Sequence, residues 1–212
     1  MPTLLFSAKT PEMKQNQKIQ TERLILASQS PRRRDLLEEA GIHIDIIPSH
    51  AEEILPEGAE PTECARALAH LKATDVAAAH EDRWVLGADT IVVVDGEILG
   101  KPEDPEDARR MLEKLSGRGH QVMTGFCLVN RALGREICEV VVTDVVFKSL
   151  SKAELSWYIE TGEPSDKAGA YGIQGKGASL VREIKGSYTN VVGLPICEVV
   201  EHLQAIDLVE LR

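Results

Sequence analysis

The 212-residue sequence predicts an α/β protein in which helices pack on a mixed β-sheet. Strand-like and helix-like stretches alternate irregularly, and the two β-rich stretches 122–129 and 136–147 flank a turn and pair naturally as an antiparallel hairpin. Neither the GxGxxG dinucleotide fingerprint nor the GxxxxGK[ST] phosphate loop occurs. A mixed sheet is therefore favoured over a doubly wound parallel one, and a Rossmann dehydrogenase and a P-loop ATPase are disfavoured.

The composition is that of an ordinary soluble globular protein, 43% hydrophobic and 27% charged. No stretch approaches the roughly 18 apolar residues that cross a membrane, and no secretory signal is visible, so we expect a cytoplasmic protein without a membrane partner. The net charge of −10 argues against a nucleic-acid partner. The cysteines lack CxxC or zinc-like spacing, which favours buried reduced thiols. They are Cys64, Cys127, Cys138 and Cys197.

Two segments differ in character. Residues 1–22 are polar without sustained periodicity, which predicts a disordered extension. Residues 23–212 carry all the predicted elements and are long enough for one domain with a buried core.

A predicted hairpin over 84–102 carries an acid in an otherwise apolar strand. Asp89 and Thr90 separate two β-rich stretches, and Asp95-Gly96 suits a tight turn. Burying an unpaired carboxylate costs several kcal/mol, so Asp89 is expected to be solvated, paired with a base or bound to a metal. The returning strand brings Lys101 near it. The alternative is a surface hairpin with an acid at its edge, which is a common arrangement.

The first predicted helix places cations where they are electrostatically unfavourable. Ser30 fits its N-cap, Pro31 its first position and Gly41 the residue after its end. Arginines occupy 32–34, although the helix dipole disfavours cations there. A bound phosphate, held by the backbone N–H groups, the arginines and the hydroxyls of Ser28 and Ser30, would resolve the conflict. The alternative of solvated or locally paired arginines stays open.

Later segments supply further candidates. The acidic loop 52–60 contains Glu52, Glu53, Glu57 and Glu60. Most of them are expected to lie on the solvated surface, and one or two could hold a divalent cation. A helix over 61–79 should bury Leu68, Leu71 and Val76 and direct Lys72 outward.

Predicted elements also cover the carboxyl-terminal half. A helix begins at Asp104-Pro105, and another begins at the capping box 151–154. The glycine-rich stretch 162–177 contains adjacent Asp166 and Lys167, and a loop of this kind is more often functional than a plain connection. A strand and turn over 184–194 precede a terminal helix over 195–209.

Five motifs together resemble one family. The stretches ASQSPRRR, LGADTIVVVDGEILGKP, LSGRGHQVMTG, SDKAGAYGIQGKGASLV and GSYTNVVGLP occur in the order found in the Maf family, also called septum-formation-inhibitor-like proteins. The resemblance covers about residues 24–207. It implies a Maf/ITPase-like fold, in which an elongated mixed sheet with flanking helices forms two lobes around a central cleft, usually in a homodimer.

The resemblance also implies an activity. Such enzymes hydrolyse a nucleoside triphosphate to the monophosphate and pyrophosphate with a divalent cation, Mg²⁺ or Mn²⁺, and act in house-cleaning of the nucleotide pool. Arg32, Thr90 and Gln174 are similar to the branch that takes dTTP and UTP, whereas the branch that takes 7-methyl-GTP carries Trp, Gln and Glu there. The Gln174 amide offers the donor and acceptor that a pyrimidine's O4 and N3–H require. Modified pyrimidine nucleotides stay open as substrates.

A mechanism follows as a hypothesis from these residues. Asp89 is the general base or metal ligand, and Glu53 helps to hold the cation. The side chains expected to bind phosphate are Ser28, Ser30, Arg33, Lys72, Lys101 and Lys167. The competing class is a binding or regulatory protein linked to cell-division arrest, as the family's older name implies. A pure binding module has no use for an acid facing phosphate-binding cations, so an enzyme is favoured.

Overall fold

A seven-stranded mixed sheet forms the centre of the protein in a computed structural model that describes residues 18–20, 22–54 and 58–211. Its strands are β2 (Leu24–Leu26), β3 (Ile44–Ile46), β4 (Val85–Val94), β5 (Glu97–Leu99), β6 (Gly119–Asn130), β7 (Arg135–Phe147) and β8 (Val181–Lys185). They follow the spatial order β3-β2-β4-β6-β7-β8, with β5 also paired to β4.

Strand directions confirm the predicted mixed sheet. Strand β2 runs parallel to β3 and β4, whereas β5, β6, β7 and β8 join by antiparallel pairing. The Asp95-Gly96 turn joins β4 to β5 with φ of 51° and 78°, the left-handed values that a two-residue hairpin turn requires. A separate antiparallel pair is formed by β1 (Lys18–Gln20) and β9 (Val209–Leu211).

Helix starts follow the predicted capping residues. The Ser30 and Asp104 side chains accept the backbone N–H of Arg33 and Asp107, and Ser151 with Glu154 forms a complete capping box. The helices are α1 (Pro31–Glu39), α2 (Pro61–Ala77), α3 (Pro105–Leu115), α4 (Lys152–Glu160), α5 (Tyr188–Val192) and α6 (Ile196–Ala205). In the described part of the chain, none is both long and apolar enough to cross a membrane.

The two faces of the sheet are covered differently. Helix α2 lies on one face, where its alanines pack against β2, β4 and β6. On the other face, α1 and α6 enclose one apolar cluster and α3 and α4 enclose a second. These two clusters are the cores of two lobes, as the resemblance implied.

Strand β4 runs through both lobes, and the cleft between them lies beside its middle part. Strand β2 pairs with its residues Val85 and Leu86, and β5 pairs with 92–94. Within the described sheet, the edge of β4 over 87–91 therefore has no strand beside it. Because neighbouring residues of a strand point to opposite faces, Asp89 points toward α2 while Thr90 points toward α1.

The chain ends differ from the prediction. Residues 18–20 form β1 although they were predicted to belong to a disordered extension; residues 1–17 and 21 lie outside the described residues. The last helix ends at Ala205, where a left-handed Asp207 turns the chain into β9. A strand and turn were predicted over 184–194; the structure has the end of β8 there, followed by the short helix α5.

The prediction of buried reduced cysteines is wrong for three of the four. Cys127 and Cys138 lie directly opposite each other on β6 and β7, with Cα atoms 4.2 Å apart, and form a disulfide. Cys197 is exposed, and only Cys64 is a buried free thiol. The register of β6 and β7 brings the bonded pair together, and this register cannot be deduced from the spacing of the cysteines in the sequence.

A buried histidine predicts how stability depends on pH. His120 Nε2 lies 2.7 Å from the Tyr171 hydroxyl, and burial lowers the pKa of His120 from 6.5 to about 4. Between those values the unfolded chain binds a proton that the folded protein does not, so stability falls as the pH drops from 6.5 toward 4. We expect a loss of about 3 kcal/mol in the free energy of urea unfolding across that window. His120→Gln keeps a partner for Tyr171 and should flatten this dependence; an unchanged pH slope would contradict the assignment.

Candidate functional site

A cleft of about 660 Å³ lies between the lobes beside the unpaired edge of β4. It is lined by all the residues to which the predicted mechanism and base selection assign a role, which are Ser28, Ser30, Arg32, Arg33, Glu53, Lys72, Asp89, Thr90, Lys101, Lys167 and Gln174. An apolar wall that includes Tyr171 and Ile173 completes it. The fold thus collects residues from distant motifs into one site, and their individual roles stay predictions.

Asp89 is the most enclosed acid of the cleft, 8% exposed on β4. Lys72 Nζ lies 2.6 Å from Asp89 Oδ1 and 2.9 Å from Glu53 Oε1. The ion pair compensates for removing the Asp89 carboxylate from water. Lys72 was predicted to reach outward from α2, and that is wrong: it turns inward between the two acids, while Leu68 and Val76 are buried as predicted and Leu71 is half-buried.

The Arg33 side chain forms hydrogen bonds with three different parts of the cleft. Its Nε donates to the Gly193 carbonyl at 2.8 Å, one Nη to Ser28 Oγ at 3.1 Å and the other to Thr90 Oγ1 at 3.2 Å. Burial lowers the pKa of its guanidinium, and the negative charge of Asp89 partly offsets that effect. A guanidinium has more N–H donors than these bonds use, so Arg33 keeps donors for a phosphate.

A buried network of hydrogen bonds fixes the position of the Thr90 side chain. This network was not predicted. Thr90 Oγ1 lies 2.9 Å from Thr124 Oγ1, and Thr124 donates to the Asn190 carbonyl at 3.0 Å. The Asn190 amide donates to the Val122 carbonyl and to Thr143 Oγ1. Its position within GSYTNVVGLP was the available signal, but sequence alone gives no partner for it.

Across the cleft, one acid holds two of the selected cations. Asp166 Oδ2 accepts from Arg32 Nη1 at 2.9 Å, and Asp166 Oδ1 accepts from Lys167 Nζ at 2.6 Å. Lys167 Nζ also donates to the Glu163 carbonyl at 2.6 Å. Asp166 and Lys167 are adjacent in the sequence, but no role was predicted for Asp166.

The segment that carries Gln174 is fixed through its backbone. The Glu163 carboxylate accepts N–H groups of Lys176 and Gly177 at 3.1 and 3.3 Å. Gly175 adopts φ of +65°, and a Cβ there would lie 2.9 Å from Glu163 Oε1. The short helical segment after Gln174 therefore starts at a defined position beside the cleft.

Glu53 and Asp89, the two acids predicted to hold a divalent cation, lie on either side of the Lys72 ammonium. Their oxygens both contact the Lys72 ammonium, and oxygen donors are those that Mg²⁺ and Mn²⁺ prefer. In the described residues, no group of three or more His, Cys, Asp or Glu side chains is arranged to hold a metal. Two carboxylates could hold a divalent cation only if substrate oxygens or water supplied its remaining ligands. Of the other loop glutamates, Glu57 lies outside the described residues.

Known proteins are similar over most of the chain. The chain is 54% identical to "dTTP/UTP pyrophosphatase" of Geobacter sulfurreducens, covering 87% of this chain and 96% of that one. It is 51% identical to the protein of the same name from Syntrophus aciditrophicus, covering 87% and 90%, and 50% identical to that from Clostridioides difficile, covering 82% and 89%.

A solved structure, "The structure of the Staphylococcus aureus Ham1 protein", aligns with a TM-score of 0.47 at 14% identity, covering 87% of this chain and 97% of that one. Residues 23–206 match the family described as Maf-like protein. The chain belongs to the Maf-like protein family.

Proposed function

We propose that the protein is a nucleoside triphosphate pyrophosphatase that hydrolyses dTTP and UTP to the monophosphate and pyrophosphate, and so removes nucleotides from the pool. The observation that carries this proposal is the cleft itself, where a buried acid faces a set of cations from both lobes. Relatives at 50–54% identity that are named for this activity support the same assignment.

The proposed chemistry is hydrolysis at the α-phosphorus. Asp89 accepts a proton from a water molecule, whose oxygen attacks the α-phosphorus; the bond to the oxygen that bridges to the β-phosphorus breaks, and pyrophosphate leaves with those bond electrons. Lys72, Lys101 and Lys167 neutralise the phosphates, with Ser28, Ser30 and Arg33 donating at the start of α1. A divalent cation held by Glu53 and Asp89 would supply further charge neutralisation when bound.

Base selection is assigned to Arg32, Thr90 and Gln174. Thr90 and Arg32 border the cleft on the α1 side, and Gln174 borders it from the glycine-rich segment. An amide both donates and accepts hydrogen bonds, which suits the adjacent O4 and N3–H of thymine and uracil. A C5 methyl group needs only a small apolar space, so modified pyrimidine nucleotides belong to the same proposed substrate class.

Pyrophosphate release from a nucleotide panel tests the proposal. We expect dTTP and UTP to exceed CTP, GTP, ATP and 7-methyl-GTP with Mg²⁺ or Mn²⁺, and EDTA to abolish turnover. Gln174→Glu loses the amide donor and should lower kcat/KM for dTTP and UTP by roughly tenfold to a hundredfold. Preference for 7-methyl-GTP would overturn the base-selecting roles, and no turnover of any nucleotide would favour a binding protein.

The assembly and compartment complete the proposal. We infer a homodimer from the family resemblance, and the exposed Trp157 is an amphipathic side chain of the kind enriched at interfaces. A mass of one chain by light scattering would overturn the dimer. A cytoplasmic location agrees with a substrate drawn from the nucleotide pool, and fractionation of cells tests it.

A further inference from the structure

Asp166 connects two cations that belong to different parts of the proposed substrate site. Arg32 is assigned to the base and lies at the start of α1, whereas Lys167 is assigned to the phosphates and follows Asp166 in the chain. Both donate to the same carboxylate, one to each oxygen. A nucleotide that uses both donors must therefore displace the Asp166 carboxylate already bound to them.

The two cations are more buried than the carboxylate that joins them. The Arg32 and Lys167 side chains are 27% and 17% exposed, but the Asp166 side chain is 57% exposed. Burial alone would raise the pKa of Asp166, yet the hydrogen bonds from Lys167 and Arg32 outweigh it and hold the pKa below its usual value. The carboxylate is thus ionised at neutral pH and is the most solvent-exposed of the three charged groups.

We propose that Asp166 is a specificity residue that selects a complete nucleotide over free polyphosphate by competing for Arg32 and Lys167. This inference rests on the proposed function. A nucleotide that displaces Asp166 also gains contacts between its base and Gln174 and Thr90. Pyrophosphate and tripolyphosphate lack a base, so Asp166 returns to its cations and the product leaves.

Direct binding of pyrophosphate and tripolyphosphate to the full chain, measured by calorimetry in EDTA at low ionic strength, tests this role. Asp166→Asn keeps the shape but removes the competing charge, so the Kd for both ligands should fall roughly tenfold. Inhibition of dTTP hydrolysis by pyrophosphate should strengthen by the same factor. Asp166→Glu restores the charge and should bind both ligands nearly as the wild type does.

Asp45 offers a matched control outside the cleft. Its carboxylate also joins two cations, Arg23 at 2.6 Å and Arg83 at 2.9 Å, on the edge strand β3. Asp45→Asn should leave pyrophosphate binding unchanged. General damage to the fold weakens binding and does not tighten it, so the expected direction is diagnostic.

Unchanged or weaker pyrophosphate binding in Asp166→Asn would overturn the inference and leave Asp166 as a structural bridge. The binding measurement needs no turnover. Absence of nucleotide hydrolysis in the wild type would therefore overturn the proposed function through a separate result.

Discussion

Asp89→Asn is expected to lower kcat for dTTP and UTP by roughly a hundredfold to ten-thousandfold, the range associated with loss of a general base. The amide has the same shape as the carboxylate but cannot take the proton from water. The substitution also removes the negative charge of one of the two side chains proposed to hold the cation. Steady-state pyrophosphate release, with wild type and variant in parallel, measures the effect.

Stability must be measured beside turnover because Asp89→Asn also removes the ion pair with Lys72. Lys72 keeps Glu53 as a partner at 2.9 Å, so its ammonium is not left unpaired. Asp144→Asn is a suitable control, since it removes an exposed carboxylate from β7, where Asp144 accepts from Gln121. Near-normal turnover in a folded Asp89→Asn protein would remove Asp89 from the proposed mechanism.

Local sequence signals predicted the element starts because the decisive contacts are local. Ser30, Asp104 and Ser151 each bond to a backbone N–H three residues later, so their effect can be read from a few neighbouring letters. The end of α6 was missed because no residue there carries a recognisable stop signal. It depends on Asp207 with φ of 59°, a non-glycine residue in the left-handed region that no glycine signals in advance.

Long-range partners explain what sequence reasoning missed in the cleft. The motifs supplied its lining residues, but Arg33 and Gly193 are separated by 160 positions and Arg32 and Asp166 by 134. Residue type alone does not show whether an arginine faces solvent, a phosphate or its own protein. The inward turn of Lys72 depends likewise on how closely α2 approaches the sheet.

Gly125→Ala is expected to destabilise the protein by about 3 kcal/mol and to reduce activity by roughly a hundredfold. Gly125 lies opposite Asp89 on β6, and an added Cβ would lie 2.3 Å from the Ala65 carbonyl oxygen of α2. An ordinary contact begins at 3.4 Å, so the helix must move by about 1 Å. That movement carries Lys72 away from Asp89. The packing of α2 on the sheet therefore determines the geometry of the cleft. Urea unfolding and pyrophosphate release measure the two effects.

Gly119→Ala is the matched control because it makes the same change on the same strand. The nearest atom to its added Cβ is the Val145 carbonyl oxygen at 4.0 Å, so no backbone has to move. It should unfold within about 0.5 kcal/mol of the wild type and keep its turnover. If Gly125→Ala behaves like Gly119→Ala in both assays, α2 does not need the bare backbone of β6 to hold Lys72 in the cleft. If Gly125→Ala is destabilised but keeps full turnover, the position of α2 matters for folding and not for the chemistry.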